Sequence, residues 1–392
     1  MKIFDTLSKT HRSLENGRGT GPAGKKRPVK IFVCGPTVYE YCHLGHARVF
    51  LFYDLIARLL RLRGEKATLV MNITDIDPKI STRAKRNGEL PEQTSNRFTR
   101  ELFSDLSNLG INGISFARVS DYVETARQIV LKLIGKKVAY PLNGNIYLDT
   151  SKTPLFGQLS ALNKKELSAM RFDIAPNKRN PNDLLLWNTT DIIGYNYEDK
   201  TIGSGFPSAH LQDLSVLIAL FKGNYHLHGG AADLVYPHHE SILAQLIELT
   251  SLNRPVKCWN HIGLVLKDGK KMSNSLNNAI PIRTILHRYN SNILRLYFFS
   301  EPYRTPMNFS ESTIRNIEKL NMKISRIMST VKITGHIRDN TSEDLAFRKK
   351  FLTHVENDFD TASALHVLIN TAENENPSAS FLEMLQILGL RY

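Results

Sequence analysis

The chain has 392 residues, 51 Lys and Arg against 37 Asp and Glu for a formal charge of +14, and three cysteines. That length suits two or three domains with a buried core, and so few cysteines argue against a disulfide framework and fit a reducing cytoplasm. Without a run of about 20 uncharged apolar residues the sequence predicts no membrane span, while the basic excess suits a polyanion whose counterions are released on binding.

Thr20 to Pro28 (TGPAGKKRP) reads as a flexible basic lead-in. Lys30 to Cys34 then reads as a buried parallel strand, Gly35 and Pro36 break it, and Ala47 to Leu62 carries apolar residues at helical spacing. Such a strand, turn and helix start place backbone N–H groups and a positive dipole end where a phosphate can sit. His43 and His46, three apart on the first turn, share a face from which they can donate hydrogen bonds to that phosphate.

A second strand is predicted over Ala67 to Ile73. Residues 1–120 thereby read as the first half of an α/β, doubly wound parallel-sheet domain. Residues 121–200 combine the hairpin-like Ala139 to Leu148 with Pro- and Asn-rich loops, as in a connective insertion. The α/β pattern resumes over 201–266, where GNYHLHGGAADLVYPHHE holds a second group of histidines. Next comes a strand-like run from His261 to Leu266, the turn Asp268-Gly269 and the polar loop Lys270 to Ser275, within a span of 267–312. A lysine pair beside a polar loop is by itself ordinary solvated surface. Residues 313–392 read as a helical bundle, with apolar periodicity in Ile314 to Val331 and Phe359 to Thr371.

Two of these segments, His43-Leu44-Gly45-His46 and Lys271-Met272-Ser273-Asn274-Ser275, resemble the HIGH and KMSKS signatures of class I aminoacyl-tRNA synthetases, with asparagine in place of the second lysine. The segments Cys34 to Arg48, Asn72 to Ile80, Gly144 to Lys152, Lys178 to Trp187, His226 to Glu240 and Lys271 to Asn278 fall in the order of one branch, the cysteinyl-tRNA synthetases. The resemblance implies that the α/β domain is a Rossmann-like catalytic domain of HUP type, and that it carries out ATP-dependent activation of an amino acid, with Mg2+, and its transfer to the acceptor end of tRNA. It implies that His43 and His46 hold the phosphates, with Gly35, Gly45 and Ser273 alongside. His228, Gly229, Gly230 and Asp233 would shape the adenosine pocket, Lys271 would bring mobile positive charge to the pyrophosphate, and Asn274 a hydrogen bond without charge.

Amino-acid selection is where the sequence departs from that family, whose zinc is held by two Cys, one His and one Glu and binds the substrate thiolate. Carried over position by position, those ligands fall on Cys34, Asp213, His238 and Ile242. Asp213 can still coordinate through oxygen, Ile242 cannot, and Glu240 points off that face, so Zn2+ is expected to bind weakly or not at all. Cys34, Thr74, Asp213 and His238 are the expected amino-acid pocket. Ser208-Ala209-His210 stands where the family has an enclosing tryptophan, and the helical tail, Phe351 to Ala372, is followed by a shortened C-terminus. A monomer is expected. Two other readings remain open at this point: an enzyme that aminoacylates a non-tRNA acceptor, and a catalytically weak RNA-binding or regulatory paralogue.

Overall fold

The computed structural model describes residues 1–14, 28–153, 155–170, 175–189, 194–334, 337–371 and 377–392. The lead-in expected over Thr20 to Pro28 lies, except for Pro28, outside the described residues, as does Ala372.

Five parallel strands make the central sheet, in the order Val256–Ile262, Tyr225–Ala231, Val29–Val33, Ala67–Ile73, Ser115–Arg118. Within this sheet the chain enters at the middle strand, winds outward to one edge, and returns to build the other half. This is the expected doubly wound arrangement. Its direction reverses between Val29–Val33 and Tyr225–Ala231, and the crevice beyond the carboxyl ends of these two strands is where such sheets bind ligands.

The first crossover is the helix Leu44–Leu62, which begins three residues before the apolar periodicity does. Histidine side chains cap its first turn, a signal independent of the apolar spacing. Two further helices, Pro78–Asn87 and Pro91–Asn108, each open on a proline at the position where a missing N–H costs nothing, and lead to Ser115–Arg118. After the helix Val123–Gly135 comes an antiparallel sheet of Ala139–Leu142, Asn145–Leu148, Leu184–Asn188 and Phe206–Pro207. The expected hairpin is its first pair, and its last strand lies beyond residue 200. Helices Ala209–Phe221 and Glu240–Thr250 flank Tyr225–Ala231 in sequence and complete the second half.

The run His261 to Leu266 is not one strand. It breaks at Gly263, where a Cβ would lie 2.4 Å from the Thr305 carbonyl oxygen, and Val265–Lys267 joins a separate small sheet with Lys270–Lys271 and Met307–Asn308. Asp268 and Gly269, with φ of 52° and 74°, turn that hairpin through two left-handed residues. Helices Ile282–Leu286, Ser291–Phe299, Glu311–Thr334, Ser342–Glu356, Thr361–Thr371 and Ala379–Leu388 follow. Among the described residues no helix is long and apolar enough to cross a membrane.

Arg295 ties these layers together. Fully buried, its Nη2 lies 2.7 Å from Asp54 Oδ2 on the first crossover helix and donates to the Leu109 carbonyl at 3.0 Å. Its Nη1 donates to the Leu388 carbonyl at 3.3 Å, at the end of the last helix. Removing one member of a buried ion pair leaves the other charged in a poor solvent. Arg295→Met should therefore cost about 3–5 kcal/mol in urea unfolding; a loss under about 1 kcal/mol would show that Arg58, 2.7 Å from Asp54, satisfies the carboxylate alone.

Candidate active site

Cys34 and Gly35 stand just past the end of Val29–Val33. The Cys34 N–H donates to the Gly229 carbonyl at 2.9 Å, and the Gly35 N–H to Asn72 Oδ1 at 2.7 Å. A Cβ on Gly35 would fall 1.9 Å from the Asn72 carbonyl oxygen, so only glycine lets the two strands approach this closely. Asn72 is fully buried, and its amide also donates to Asp213 Oδ1 at 2.8 Å and Thr74 Oγ1 at 3.2 Å. One side chain thus links Gly35, Thr74 and Asp213.

At the start of the Leu44–Leu62 helix the two histidines cap each other's backbone. The Gly45 N–H donates to His43 Nδ1 at 3.1 Å, and the His43 N–H to His46 Nδ1 at 3.2 Å, with the rings 4.0 Å apart. Burial pushes His43 down to about 4 and His46 well below its usual value, so both imidazoles are neutral at pH 7. With Nδ1 accepting, the single proton of each ring must sit on Nε2. The first helical turn carries no acidic side chain. It therefore presents two N–H donors and an uncompensated positive dipole end, which is what a phosphate requires.

The cavity in front of these rings is lined on one side by residues from Cys34 to Phe50, including Gly35, His43, Gly45 and His46. Opposite stand Ala231, Asp233 and Leu234, and the loop Lys271 to Ser275 closes the third side. Lys271 Nζ is ion-paired with Asp233. Asn278, which sequence reasoning missed, fastens the loop. Its Oδ1 accepts from the Ser273 N–H and its Nδ2 donates to the Lys271 carbonyl, both at 2.9 Å, while Met272 anchors the loop in the core. Ser273 and Asn274 both line the cavity.

His228, Gly229 and Gly230, expected around adenosine, are not part of that lining. His228 lies in register with Phe32 and Trp259 on the two flanking strands, fully buried, stacked on the Trp259 ring at 4.3 Å and 2.6 Å from Tyr225 Oη. Packing explains the glycines as well: a Cβ on Gly229 would lie 2.1 Å from Tyr53 Oη, and one on Gly230 2.8 Å from His239 Cε1. From this segment Asp233 alone among the expected residues faces the cavity.

Cys34, Asp213 and His238 do come together. His238 Nε2 is 3.6 Å from Cys34 Sγ and 3.1 Å from Asp213 Oδ2. Ile242 is core, and Glu240 turns away to accept the Leu159 and Ser160 N–H groups at 3.3 and 2.7 Å. The structure adds His239, which sequence reasoning did not count: a ring nitrogen of His238, one of His239 and Cys34 Sγ all lie within 4.8 Å of one another. The His-His pair before Glu240 was the signal that could have found it. Thiolate and imidazole are the donor types zinc prefers. A tetrahedral ion with usual Zn–S and Zn–N bonds sets sulfur and nitrogen about 3.6 Å apart, which matches the Cys34 to His238 spacing.

A family model described as the class I tRNA synthetase (C) catalytic domain matches residues 22–319. The cysteine–tRNA ligase of Laribacter hongkongensis is 35% identical over 394 residues, spanning 99% of this chain and 84% of that protein. Its Acinetobacter baumannii counterpart is 32% identical over 360 residues, 90% of this chain and 75% of that one. Among solved structures, Mycobacterium tuberculosis methionyl-tRNA synthetase in complex with methionyl-adenylate superposes with a TM-score of 0.67 over 89% of this chain and 82% of its own, at 15% identity. That likeness concerns the fold alone.

The neutral histidines set a pH dependence. His43 Nδ1 accepts from Gly45, and His226 Nδ1 accepts the Lys30 N–H at 3.0 Å. Protonating either nitrogen would bring two hydrogens face to face. Burial pushes both down to about 4, whereas in the unfolded chain they protonate near 6.5. The folded state then binds fewer protons, so stability is full above about pH 6.5 and is lost as pH falls toward 4. Each group contributes up to about 1.4 kcal/mol per pH unit within that window. Urea unfolding at pH 7 and pH 5 checks this; His226→Gln should flatten the slope, and equal stability at the two pH values would contradict it.

Proposed function

This chain belongs to the class I aminoacyl-tRNA synthetase family of the cysteine–tRNA ligases, and on that premise we propose that it activates cysteine with ATP and transfers the cysteinyl group to tRNA. In the first step a cysteine carboxylate oxygen bonds to the α-phosphorus of ATP while the bond from that phosphorus to the bridging oxygen breaks and pyrophosphate departs. In the second, a terminal ribose hydroxyl of tRNA attacks the carbonyl carbon, AMP leaves, and the hydroxyl proton passes to solvent. Neither step needs a protein nucleophile. Positioning and stabilisation of developing charge can supply the rate.

The observation that carries this reading is the pair of neutral Nε2–H donors of His43 and His46, facing the Lys271 loop across one cavity. Neutral donors stabilise phosphoryl charge without forming an ion pair that would hold the product. Lys271 supplies full positive charge beside the departing pyrophosphate. It has to leave Asp233 to do so, which frees that carboxylate for the hydroxyl groups of the ribose. Mg2+ accompanies ATP as the counter-charge of its phosphates. Zinc, when bound at Cys34 and His238, would supply a Lewis acid for a substrate thiol. The basic surface suits the tRNA backbone, with contact at the acceptor end and affinity that falls as salt rises.

ATP–pyrophosphate exchange across all twenty amino acids, with and without tRNA, tests the reading. Cysteine-dependent exchange is expected. Exchange with another amino acid alone would overturn the choice of substrate, and none at all would overturn the activity. His43→Asn separates the two tasks of that side chain, because asparagine caps a helix well but cannot reach as far as Nε2. Exchange should fall tenfold or more, about 1.4 kcal/mol of barrier, with the melting temperature unchanged. Unaltered exchange would remove His43 from the phosphate site.

A further inference from the structure

We propose that Arg283 is a positioning residue that keeps the Lys271 loop in register with His43. Its catalytic use rests on the synthetase reading, whereas the clamp it forms stands on contacts independent of ATP or tRNA.

The chain leaving the loop runs antiparallel to the segment that opens the Leu44–Leu62 helix. His43 stands opposite Pro281, and on either side the Leu44 N–H donates to the Ile280 carbonyl at 3.0 Å and the Ile282 N–H to the Cys42 carbonyl at 2.9 Å. Only Ala279 separates Ile280 from Asn278, the residue that fastens Lys271 and Ser273. A shift at the loop's exit is therefore passed to the backbone of His43, or it breaks one of these two bonds.

Two residues further along, Tyr41 and Arg283 face each other. The Arg283 guanidinium lies 4.0 Å over the Tyr41 ring, which meets Phe98 edge-on at 5.3 Å. Arg283 Nη2 is 2.6 Å from Glu101 Oε2 and 3.3 Å from Asp105 Oδ1. Phe98, Glu101 and Asp105 all belong to the helix Pro91–Asn108. One side chain thus pins both members of the pairing to the same rigid support.

The ion pair itself is incomplete. Arg283 Nε and Asp105 Oδ2 are both buried without a hydrogen-bond partner among the described residues, although the two side chains touch. A pair built for stability alone would be bidentate, with two parallel N–H···O bonds. Here the contact with the Tyr41 ring is made and the second bond is not, so the guanidinium stands where the pairing beside His43 requires it.

None of Arg283, Glu101 and Asp105 lines the cavity, so Arg283 acts through the backbone it holds. Its effect falls on the step in which Lys271 leaves Asp233, because full charge and neutral donor must then meet the same phosphates from opposite sides. A misplacement of about 1 Å is enough to cost about a hundredfold in rate.

The test measures kcat and KM for ATP in pyrophosphate exchange with Arg283→Met and Arg283→Lys, each also in a Lys271→Ala background. Arg283→Met should lower kcat about tenfold or more and leave KM for ATP within about threefold. With Lys271 gone there is no register left to keep, so the same change should then cost less than about twofold. Arg283→Lys preserves the ion pair but not the planar face on Tyr41, so it should melt near the wild type and keep most of the rate loss. Equal losses in both backgrounds, or full recovery of rate by lysine, would make Arg283 merely structural and overturn the proposal; if Arg283→Met does not fold by circular dichroism, the lysine variant decides. Amide hydrogen exchange without ligands reads the clamp alone, and Leu44 and Ile282 should exchange faster in Arg283→Met than in the wild type. Unchanged exchange there would also overturn it. A wild type without pyrophosphate exchange would instead overturn the synthetase reading, and these two amides would still decide whether the clamp exists.

Discussion

Reciprocal capping between His43 and His46 is the constraint on which the helix end of the cavity depends. The first turn of any helix leaves backbone N–H groups unsatisfied, and here two of them are met by ring nitrogens instead of the usual Ser, Thr, Asp or Asn oxygens. That choice fixes a tautomer. A carboxylate cap would place negative charge at the positive end of the helix dipole inside the cavity, where it would repel an anion, and a hydroxyl would have no second polar atom to offer. An imidazole satisfies the backbone with one nitrogen and keeps a donor for the ligand on the other, and burial keeps it neutral.

Close packing on both sides of the crevice fixes its floor. Gly35 against the Asn72 backbone and Gly229 against Tyr53 leave no space for a side chain. These contacts set the depth at which Cys34 emerges. They also carry the Asn72 amide to Asp213, which is 141 residues away in sequence. The same buried amide holds a turn, a threonine and a carboxylate together behind Cys34.

Features confined to one turn or one strand were legible in the sequence. The strand before Cys34, the strand Ala67–Ile73, the two histidines three apart and the Asp268-Gly269 turn all depend on neighbours within a few residues, and each stands within a residue or two of its expected place. The chain's membership in the family was legible for the same reason, since short motifs survive in order. Less legible was anything that depends on register between distant strands. His228 was placed at the adenosine pocket by the resemblance alone, and its register sets it between Phe32 and Trp259. His210 carries no motif of its own, and His239 and Asn278 lie inside recognisable segments that do not mark them out from their neighbours. Their roles follow from partners distant in sequence or around a loop, His261 for His239, His238 for His210 and the Lys271 and Ser273 backbone for Asn278. The break at Gly263 likewise comes from Thr305, more than forty residues onward.

The N-terminal hairpin, Lys2–Asp5 with Thr10–Ser13, lies against the outermost strand of the second half. Thr6 donates its N–H to the Trp259 carbonyl at 2.7 Å, and the Trp259 N–H donates to Asp5 Oδ1 at 2.8 Å. Asp5, fully buried, also holds Arg12 and Arg254. A flat parallel sheet would otherwise end there in a row of vacant backbone groups, ready to accept a strand from any neighbouring chain. The hairpin occupies them with two bonds and then turns positive charge outward, so that an approaching copy meets guanidinium groups instead of an open ladder. The segment whose Thr6 Oγ1 lies 2.7 Å from His261 Nδ1 thereby also covers an edge of the sheet that would be open to strand pairing.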